Sequence, residues 1–197
     1  MRDSVNQGCS RQPFIYAQKL AYDLGFRLEN KDLVVDKVEK VKYTYGVLDA
    51  DSSDNTIRKR AEKYGNDRFA YYRNIKPKPA INRIYNNLVK QNKKITKNEV
   101  EKFYTHLFKE KHQLDGRVKY FDGNYDMSQS IDRLYYGKET IKKHDIIMIK
   151  HEILEAQYMK KGMSYQKAHD EANKKYNYKY ALDDYKQKIK KGGKRNG

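Results

Sequence analysis

The sequence predicts a mainly helical α+β protein, with a small mixed N-terminal region followed by a helical domain built on a helix hairpin. Over most of the second half of the chain, apolar side chains recur at helical spacing between capping residues and glycine stops. In VKYTYGV, at 41–47, apolar and polar residues alternate instead, which predicts a strand. We place the N-terminal region at 1–76, a linker at 77–79, the helical domain at 80–190 and a basic tail at 191–197.

The N-terminal region is expected to contain a helix over 10–25, the strand at 41–47 and a short helix over 56–64 that ends at Gly65. The run RFAYYRNI, at 68–75, fits either a strand or a helix. The sequence then reads Lys-Pro-Lys-Pro at 76–79. Two prolines around one lysine favour extended backbone, so the domain boundary is predicted there.

Beyond the linker, the same signals predict helices over 80–91, 96–111, 128–136 and 180–189, two helices within 144–178, and one short strand at 118–121. Thr96 and Glu99 match a capping box, which predicts the start of the second of these helices. Asp145 and Ser164 are expected to cap the paired helices, and Gly162 to end the first of them.

The composition favours a polyanionic partner. Lys and Arg number 43 against 26 Asp and Glu, a formal net charge of +17, which attracts nucleic acid. Hydrophobic residues make up 38%, with 19 Tyr and no Trp, so the core is expected to be modest and rich in tyrosine. The single cysteine, Cys9, excludes an internal disulfide framework and a cysteine-based zinc finger. No membrane span or signal peptide is expected, because no apolar run is long enough.

The candidate site lies in the stretch 144–178. His151 and Glu155 are four residues apart and therefore project from one side of a helix whose other residues are largely apolar. An antiparallel hairpin that bends near Gly162 would bring His169 beside Glu155. Ionisable groups against apolar walls cost free energy unless they are paired, so this cluster is a candidate functional site.

Three interpretations of the cluster remain open. In the preferred one, His151 and His169 act as general base and general acid, Glu155 sets tautomer and pKa, and the protein is a nuclease that cleaves RNA without a metal. Glu152 supports this set, and Arg133 would stabilise the charge that develops on the phosphate.

In the second interpretation, His151, Glu155 and His169 bind zinc and Glu152 is the base. HEILE differs from the H-E-x-x-H motif of zinc peptidases at Glu155, although a His₂Glu set is suitable for catalytic zinc. In the third, the groups only satisfy one another in a helical core. The preferred interpretation requires no cofactor, and zinc is the alternative.

Further residues are candidates for nucleic-acid binding, through ring stacking or through charge: Tyr176, Tyr178, Lys174, Lys175, Lys190 and Lys191. The remaining histidines receive no role in the site. His106 is expected on the polar side of its helix, His112 at the end of that helix, and His144 at the N-terminal flank of the hairpin.

One family resembles this sequence over about residues 110–197. The shared features are FD-x-x-YDM at 121–127, Arg133-Leu134, Asp145, HE-x-x-E at 151–155 and Y-x-x-AH at 165–169. This pattern resembles the C-terminal domain of phage minor head (MuF-type) proteins and of related polymorphic toxins. The resemblance implies an effector, often a nuclease, that a phage capsid or a secretion carrier delivers and that an acidic immunity protein neutralises. It would act in the cytoplasm of the target cell or remain with the phage particle.

The sequence therefore predicts an RNA-cleaving effector associated with a phage or a polymorphic toxin. A non-enzymatic phage structural or nucleic-acid-binding protein is the first alternative, and a zinc-dependent peptidase toxin is the second.

Overall fold

The computed structural model describes residues 26–29, 32–35 and 48–193, and the chain divides into two compact units between Arg60 and Ala61. In the first unit, strands β1 (Phe26–Glu29) and β2 (Asp32–Val35) pair antiparallel, with Phe26 opposite Val35. The predicted helix over 10–25 and the predicted strand over 41–47 lie outside the described residues.

The rest of the described chain is almost entirely helical, which confirms the predicted mainly helical α+β class. Its elements are α1 (Asn55–Asn74), α2 (Pro77–Lys90), α3 (Lys97–Phe108), β3 (His112–Leu114), β4 (Arg117–Lys119), α4 (Tyr125–Tyr136), α5 (Lys143–Lys160), α6 (Tyr165–Lys175) and α7 (Tyr178–Gly193). Strands β3 and β4 form an antiparallel hairpin in which Gln113 lies opposite Val118. None of these described helices is both long and apolar enough to cross a membrane.

The Lys-Pro-Lys-Pro segment starts a helix instead of linking two domains. Lys76 has extended backbone (φ −61°, ψ 127°) and is the N-cap of α2, so Pro77 and Pro79 lie in the first turn. Proline is tolerated there because the first amide groups of a helix have no acceptor within the helix. The division into compact units lies between Arg60 and Ala61, within α1.

Helix α1 continues through Gly65, where the sequence predicted its end, and the run RFAYYRNI is helical up to Asn74. A Cβ atom on Gly65 would lie 2.8 Å from the carbonyl carbon of Asn124, and one on Gly123 would lie 2.3 Å from the Gly65 backbone. Gly65 is therefore required by the close approach of α1 to the loop before α4, and it does not terminate the helix.

Local capping signals set most other boundaries. Thr96 and Glu99 form the predicted capping box, and Gly137 ends α4 in the left-handed conformation (φ 64°). Helix α4 begins three residues before the predicted Ser128, because Asn124 caps it. Asp145 is not an N-cap residue but the third residue of α5, where its carboxylate accepts the Lys142 N–H.

The core is rich in tyrosine, as the composition predicted. Fully buried rings from α1 and α3 meet at its centre, and their members are Tyr64, Phe69, Tyr72, Phe103, Tyr104 and Phe108. Buried tyrosine hydroxyls need partners, and those of Tyr64 and Tyr72 donate to the buried carboxylate of Asp132, which also binds Arg68. This polar network joins α1 to α4 inside an otherwise apolar interior.

Helix α5 is the central helix of this unit. It packs against α3, α4, α6 and α7, and most of its length is buried, as expected for a helix with apolar residues on two sides. Gly162, with φ +90°, ends it and allows α6 to return alongside. The helix that carries His151 and Glu155 is therefore held on several sides.

Candidate active site

The structure brings His151, Glu155 and His169 together. His151 Nε2 lies 3.1 Å from His169 Nδ1 and 3.4 Å from Glu155 Oε2, while His169 Nδ1 lies 2.8 Å from the same Glu155 oxygen. Two imidazole nitrogens and one carboxylate oxygen thus converge on a single point between α5 and α6.

The local sequence explains this convergence. The four-residue spacing of His151 and Glu155 places both on the side of α5 that faces α6. Helix α6 approaches closely because its contact residues, Ala168 and Ala172, are small and fully buried. His169 follows Ala168 directly, so its ring lies at the edge of this contact, with 37% of the side chain exposed.

The hydrogen bonds determine which nitrogen of His151 carries the proton. His151 Nδ1 lies 2.9 Å from the main-chain oxygen of Tyr176. A carbonyl oxygen only accepts, so Nδ1 carries the hydrogen and the neutral ring presents the lone pair of Nε2 to Glu155 and His169. His169 Nδ1 donates its hydrogen to the Glu155 carboxylate, and this hydrogen bond raises the pKa of His169.

His106 is a member of the cluster that the sequence analysis missed. It is buried on α3, with Nε2 3.0 Å from Glu155 Oε1, so the two carboxylate oxygens of Glu155 serve different imidazoles. Its expected position on the polar side of α3 is wrong, because that side faces α5. The sequence does contain one indication that His106 is buried. It follows Phe103 by three residues and therefore lies at the edge of the apolar stripe of α3.

The two glutamates of the cluster have opposite protonation preferences. Burial opposes ionisation of Glu155, but hydrogen bonds from His106 and His169 hold its pKa well below the ordinary value. Burial and the nearby charge of Glu155 raise the pKa of Glu152 well above its usual range. Neighbouring carboxyl groups with pKa values driven apart are typical of acid and base pairs.

The cluster opens to two cavities. One, of about 380 Å³, is lined in part by Glu152, Glu155, Tyr165 and His169. The other, of about 530 Å³, is lined in part by His151, Glu152 and His169. Glu152 and His169 contact both cavities, so a small molecule or a polymer end has access to the cluster.

Arg133 does not join the cluster. Its guanidinium donates to the buried Asp145 over 2.7 and 3.0 Å and to His144 Nε2 over 2.8 Å. These bonds hold α4 against the first turn of α5. They occupy the guanidinium that was expected to stabilise the charge on a phosphate. Arg133 is accordingly a structural residue in this arrangement.

A third cleft, of about 400 Å³, contains part of the predicted nucleic-acid set. Its lining includes Lys143, Lys174, Lys175, Lys188, Tyr176 and Tyr180, with Asp184 as the acidic residue among its lining side chains. Asn173, Asn177 and Tyr180 line both this cleft and the 530 Å³ cavity, so the two are adjacent. We call this surface the lysine cleft.

The other predicted contact residues have different positions. The Tyr178 hydroxyl lies 3.1 Å from Ser130 Oγ and its ring is largely covered, so it is not a free stacking surface. Lys191 is exposed on the last turn of α7, and the side chain of Lys190 is outside what the structure describes. Because α7 extends to Gly193, the predicted basic tail begins within a helix.

Comparison with protein-family models, with curated proteins and with solved structures finds no match to this chain. The resemblance to phage minor head and toxin domains therefore stays a prediction.

The three converging atoms fit a divalent cation. Zinc bonds nitrogen and oxygen ligands at about 2.1 Å, which places tetrahedral ligands roughly 3.4 Å apart. The measured separations run from 2.8 to 3.4 Å, so an ion requires only a slight opening of the cluster. His151 already has the arrangement of a metal ligand, since its second nitrogen donates to a main-chain carbonyl.

Proposed function

We propose that the protein is a metal-dependent hydrolase of nucleic acid, with a zinc-class cation held by His151, Glu155 and His169. The observation that supports this most directly is the convergence of these donors with the His151 tautomer already fixed by Tyr176. A His₂Glu set leaves a coordination position open for substrate or water, as catalytic zinc sites do.

The geometry favours the cation over a metal-free acid–base pair. An acid and a base that cleave a phosphodiester act on its attacking and its leaving oxygens, and therefore need free nitrogens on either side of the phosphate. Here the nearest nitrogens of His151 and His169 face each other at 3.1 Å, and the second nitrogen of His151 is bound to Tyr176. A cation between the two rings uses both inward-facing nitrogens.

The residues around the cation divide the remaining work. A bound divalent ion supplies Lewis-acid polarisation of the scissile group. Glu152 lines both cavities beside His151, and its raised pKa keeps the carboxyl protonated while no cation is bound. A bound cation would lower that pKa, so that the carboxylate would take the proton from the attacking water. His106 donates to Glu155 and holds the carboxylate in place for the ion.

The charge distribution supports a polyanionic substrate. The chain carries a formal net charge of +17, and the lysine cleft adjoins the cavity that His151 lines. A single strand would bind in this cleft with its phosphates against Lys174 and Lys175 and a base stacked on Tyr180. From there it would extend towards the cluster. The phage or toxin setting, with an immunity protein as partner, is the biological context that the resemblance predicts.

The test uses the full chain loaded with zinc and labelled single-stranded RNA and DNA. We expect cleavage by the wild type, loss on chelation with EDTA, and loss in His169→Ala. His169 is partly exposed, so this variant is expected to fold, and Gln166→Ala on the same helix is the matched control. The control should cleave as well as the wild type, and expression of the wild type alone should arrest growth.

Other outcomes would overturn parts of the proposal. RNA cleavage that EDTA leaves unchanged would restore the metal-free mechanism. Zinc binding with cleavage of peptides, and not of nucleic acid, would make the protein a peptidase. Salt-dependent nucleic-acid binding with no cleavage, unchanged in His169→Ala, would indicate a structural binding protein.

A further inference from the structure

We infer that His106, Glu110 and His112 form a second divalent-cation site of the zinc class, beside the proposed site at His151, Glu155 and His169. One ligand atom from each of these residues lies within 4.8 Å of the other two. The three come from the last turns of α3, the residues after it, and the start of β3. The inference does not depend on the proposed function.

The hydrogen bonds of His106 direct a lone pair into this site. Its Nε2 lies 3.0 Å from Glu155 Oε1, and an ionised carboxylate only accepts, so Nε2 carries the hydrogen. Nδ1 is then the unprotonated nitrogen. It is buried and has no hydrogen-bond partner among the described residues, with Glu110 Oε2 3.8 Å away.

An unpartnered buried nitrogen of this kind calls for an explanation. A cation bound to Nδ1 would satisfy it, and the ring would then have a carboxylate on one nitrogen and a metal on the other. Metal-binding histidines in proteins commonly show this arrangement, because the carboxylate fixes the tautomer and increases the basicity of the ring.

A hydrogen bond also fixes the tautomer of His112. Its Nε2 lies 2.9 Å from the main-chain oxygen of His106, so Nε2 carries the hydrogen and Nδ1 is left with its lone pair. The rings of His106 and His112 lie 4.6 Å apart, and the ring of Phe121 packs against both at 5.3 and 4.5 Å. Two imidazoles with fixed tautomers thus share one apolar wall.

Glu110 supplies the carboxylate ligand of the second site. About a third of its side chain is exposed, and the Lys160 ammonium lies 3.5 Å from its Oε1. Lys160 is 68% exposed, so the ion pair is weak and Glu110 is able to turn towards His106. The present separation of 3.8 Å then shortens to the spacing of neighbouring zinc ligands, which is roughly 3.4 Å.

The two sites are joined through one carboxylate. Glu155 receives the His106 N–H on Oε1 and faces His151 and His169 with Oε2. A cation on His106 Nδ1 withdraws electron density from the ring and strengthens the hydrogen bond that orients Glu155. The second site thereby stabilises the α3–β3 turn and also supports the first.

The experiment counts zinc bound to the full chain by equilibrium dialysis and elemental analysis. We expect two zinc ions in the wild type, one in Glu110→Gln, one in His169→Ala, and none in the double variant. Glu101→Gln removes an exposed carboxylate of α3, the helix that precedes Glu110, and as the matched control it should keep two. Circular dichroism should show that all variants keep the helical content of the wild type.

A wild type that binds one zinc, which His169→Ala removes and Glu110→Gln leaves in place, overturns the second site while the proposed function stands. A wild type that binds one zinc, which Glu110→Gln removes and His169→Ala leaves in place, supports the second site and rejects the first. His112→Gln provides an independent check of the second site, and it should also lower the count by one.

Discussion

The buried network around Asp132 gives the sharpest stability prediction. The Asp132 carboxylate is 1% exposed, receives the Arg68 guanidinium at 2.5 to 3.2 Å, and accepts the hydroxyls of Tyr64 and Tyr72. Asp132→Asn keeps the size of the side chain but removes its charge, and it places an amide donor among groups that only need acceptors.

The cost follows from the burial of Arg68, whose side chain is 6% exposed. Removing one partner of a buried ion pair typically costs about 3–5 kcal/mol, because the other charge stays desolvated. A tyrosine hydroxyl left without its acceptor adds roughly 1–3 kcal/mol, although Asn retains one acceptor oxygen. We therefore expect Asp132→Asn to lower the free energy of unfolding by at least about 3 kcal/mol, a large part of the roughly 5–15 kcal/mol of a typical domain.

The measurement is urea unfolding monitored by circular dichroism, for the wild type and for Asp132→Asn. The control is Asp67→Asn, which neutralises an aspartate in an exposed pair with Lys63 on the same helix as Arg68. Pairs of this kind change stability by no more than about 1 kcal/mol. A loss below about 1 kcal/mol for Asp132→Asn would refute the argument, because a buried guanidinium without its counter-ion does not cost so little.

Three further perturbations have defined outcomes. Gly65→Ala should cost about 1–3 kcal/mol in urea unfolding, because the new Cβ meets the Asn124 backbone at 2.8 Å, and a cost near zero would contradict the close approach. Thr96→Ala removes the capping box and should cost about 0.5–2 kcal/mol, and an unchanged midpoint would show that the cap is dispensable. Burial lowers the pKa of His144, so the folded state takes up its proton less readily than the unfolded state. Its contribution to stability is therefore lost as the pH falls below about 6.5. The stability difference between wild type and His144→Gln should shrink from pH 7 to pH 5, and a constant difference would show that His144 does not titrate on unfolding.

Local chemistry made part of the fold predictable. The capping box at Thr96 and Glu99 and the stops at Gly137 and Gly162 involve only residues that are neighbours in sequence, so the sequence shows them directly. Gly65 was misinterpreted as the end of a helix because the contact that requires a glycine there is with residues 123 and 124, which are distant in the sequence. Pro77 was misinterpreted because proline suits both an extended linker and the first turn of a helix.

The same difference between local and distant contacts decides which parts of the candidate site could be predicted. His151, Glu155 and His169 belong to one hairpin, so helical spacing and a single turn sufficed to predict that they meet. His106 comes from α3, and no local pattern reveals that α3 packs against α5. Arg133 was assigned to the site because the sequence does not show that Asp145 engages its guanidinium.

Because α5 is buried, the cluster residues that it carries are more constrained than the residues of the cavity walls. The helix that carries His151, Glu152 and Glu155 is enclosed by four others, so its side chains have little freedom to vary or to shift. The cavity walls, in contrast, come partly from the β3–β4 hairpin and the start of α7, where side chains are more exposed. In the proposed hydrolase, substrate preference would therefore be open to redesign at the rim, at Lys119 or Lys179, without disturbing the buried cluster.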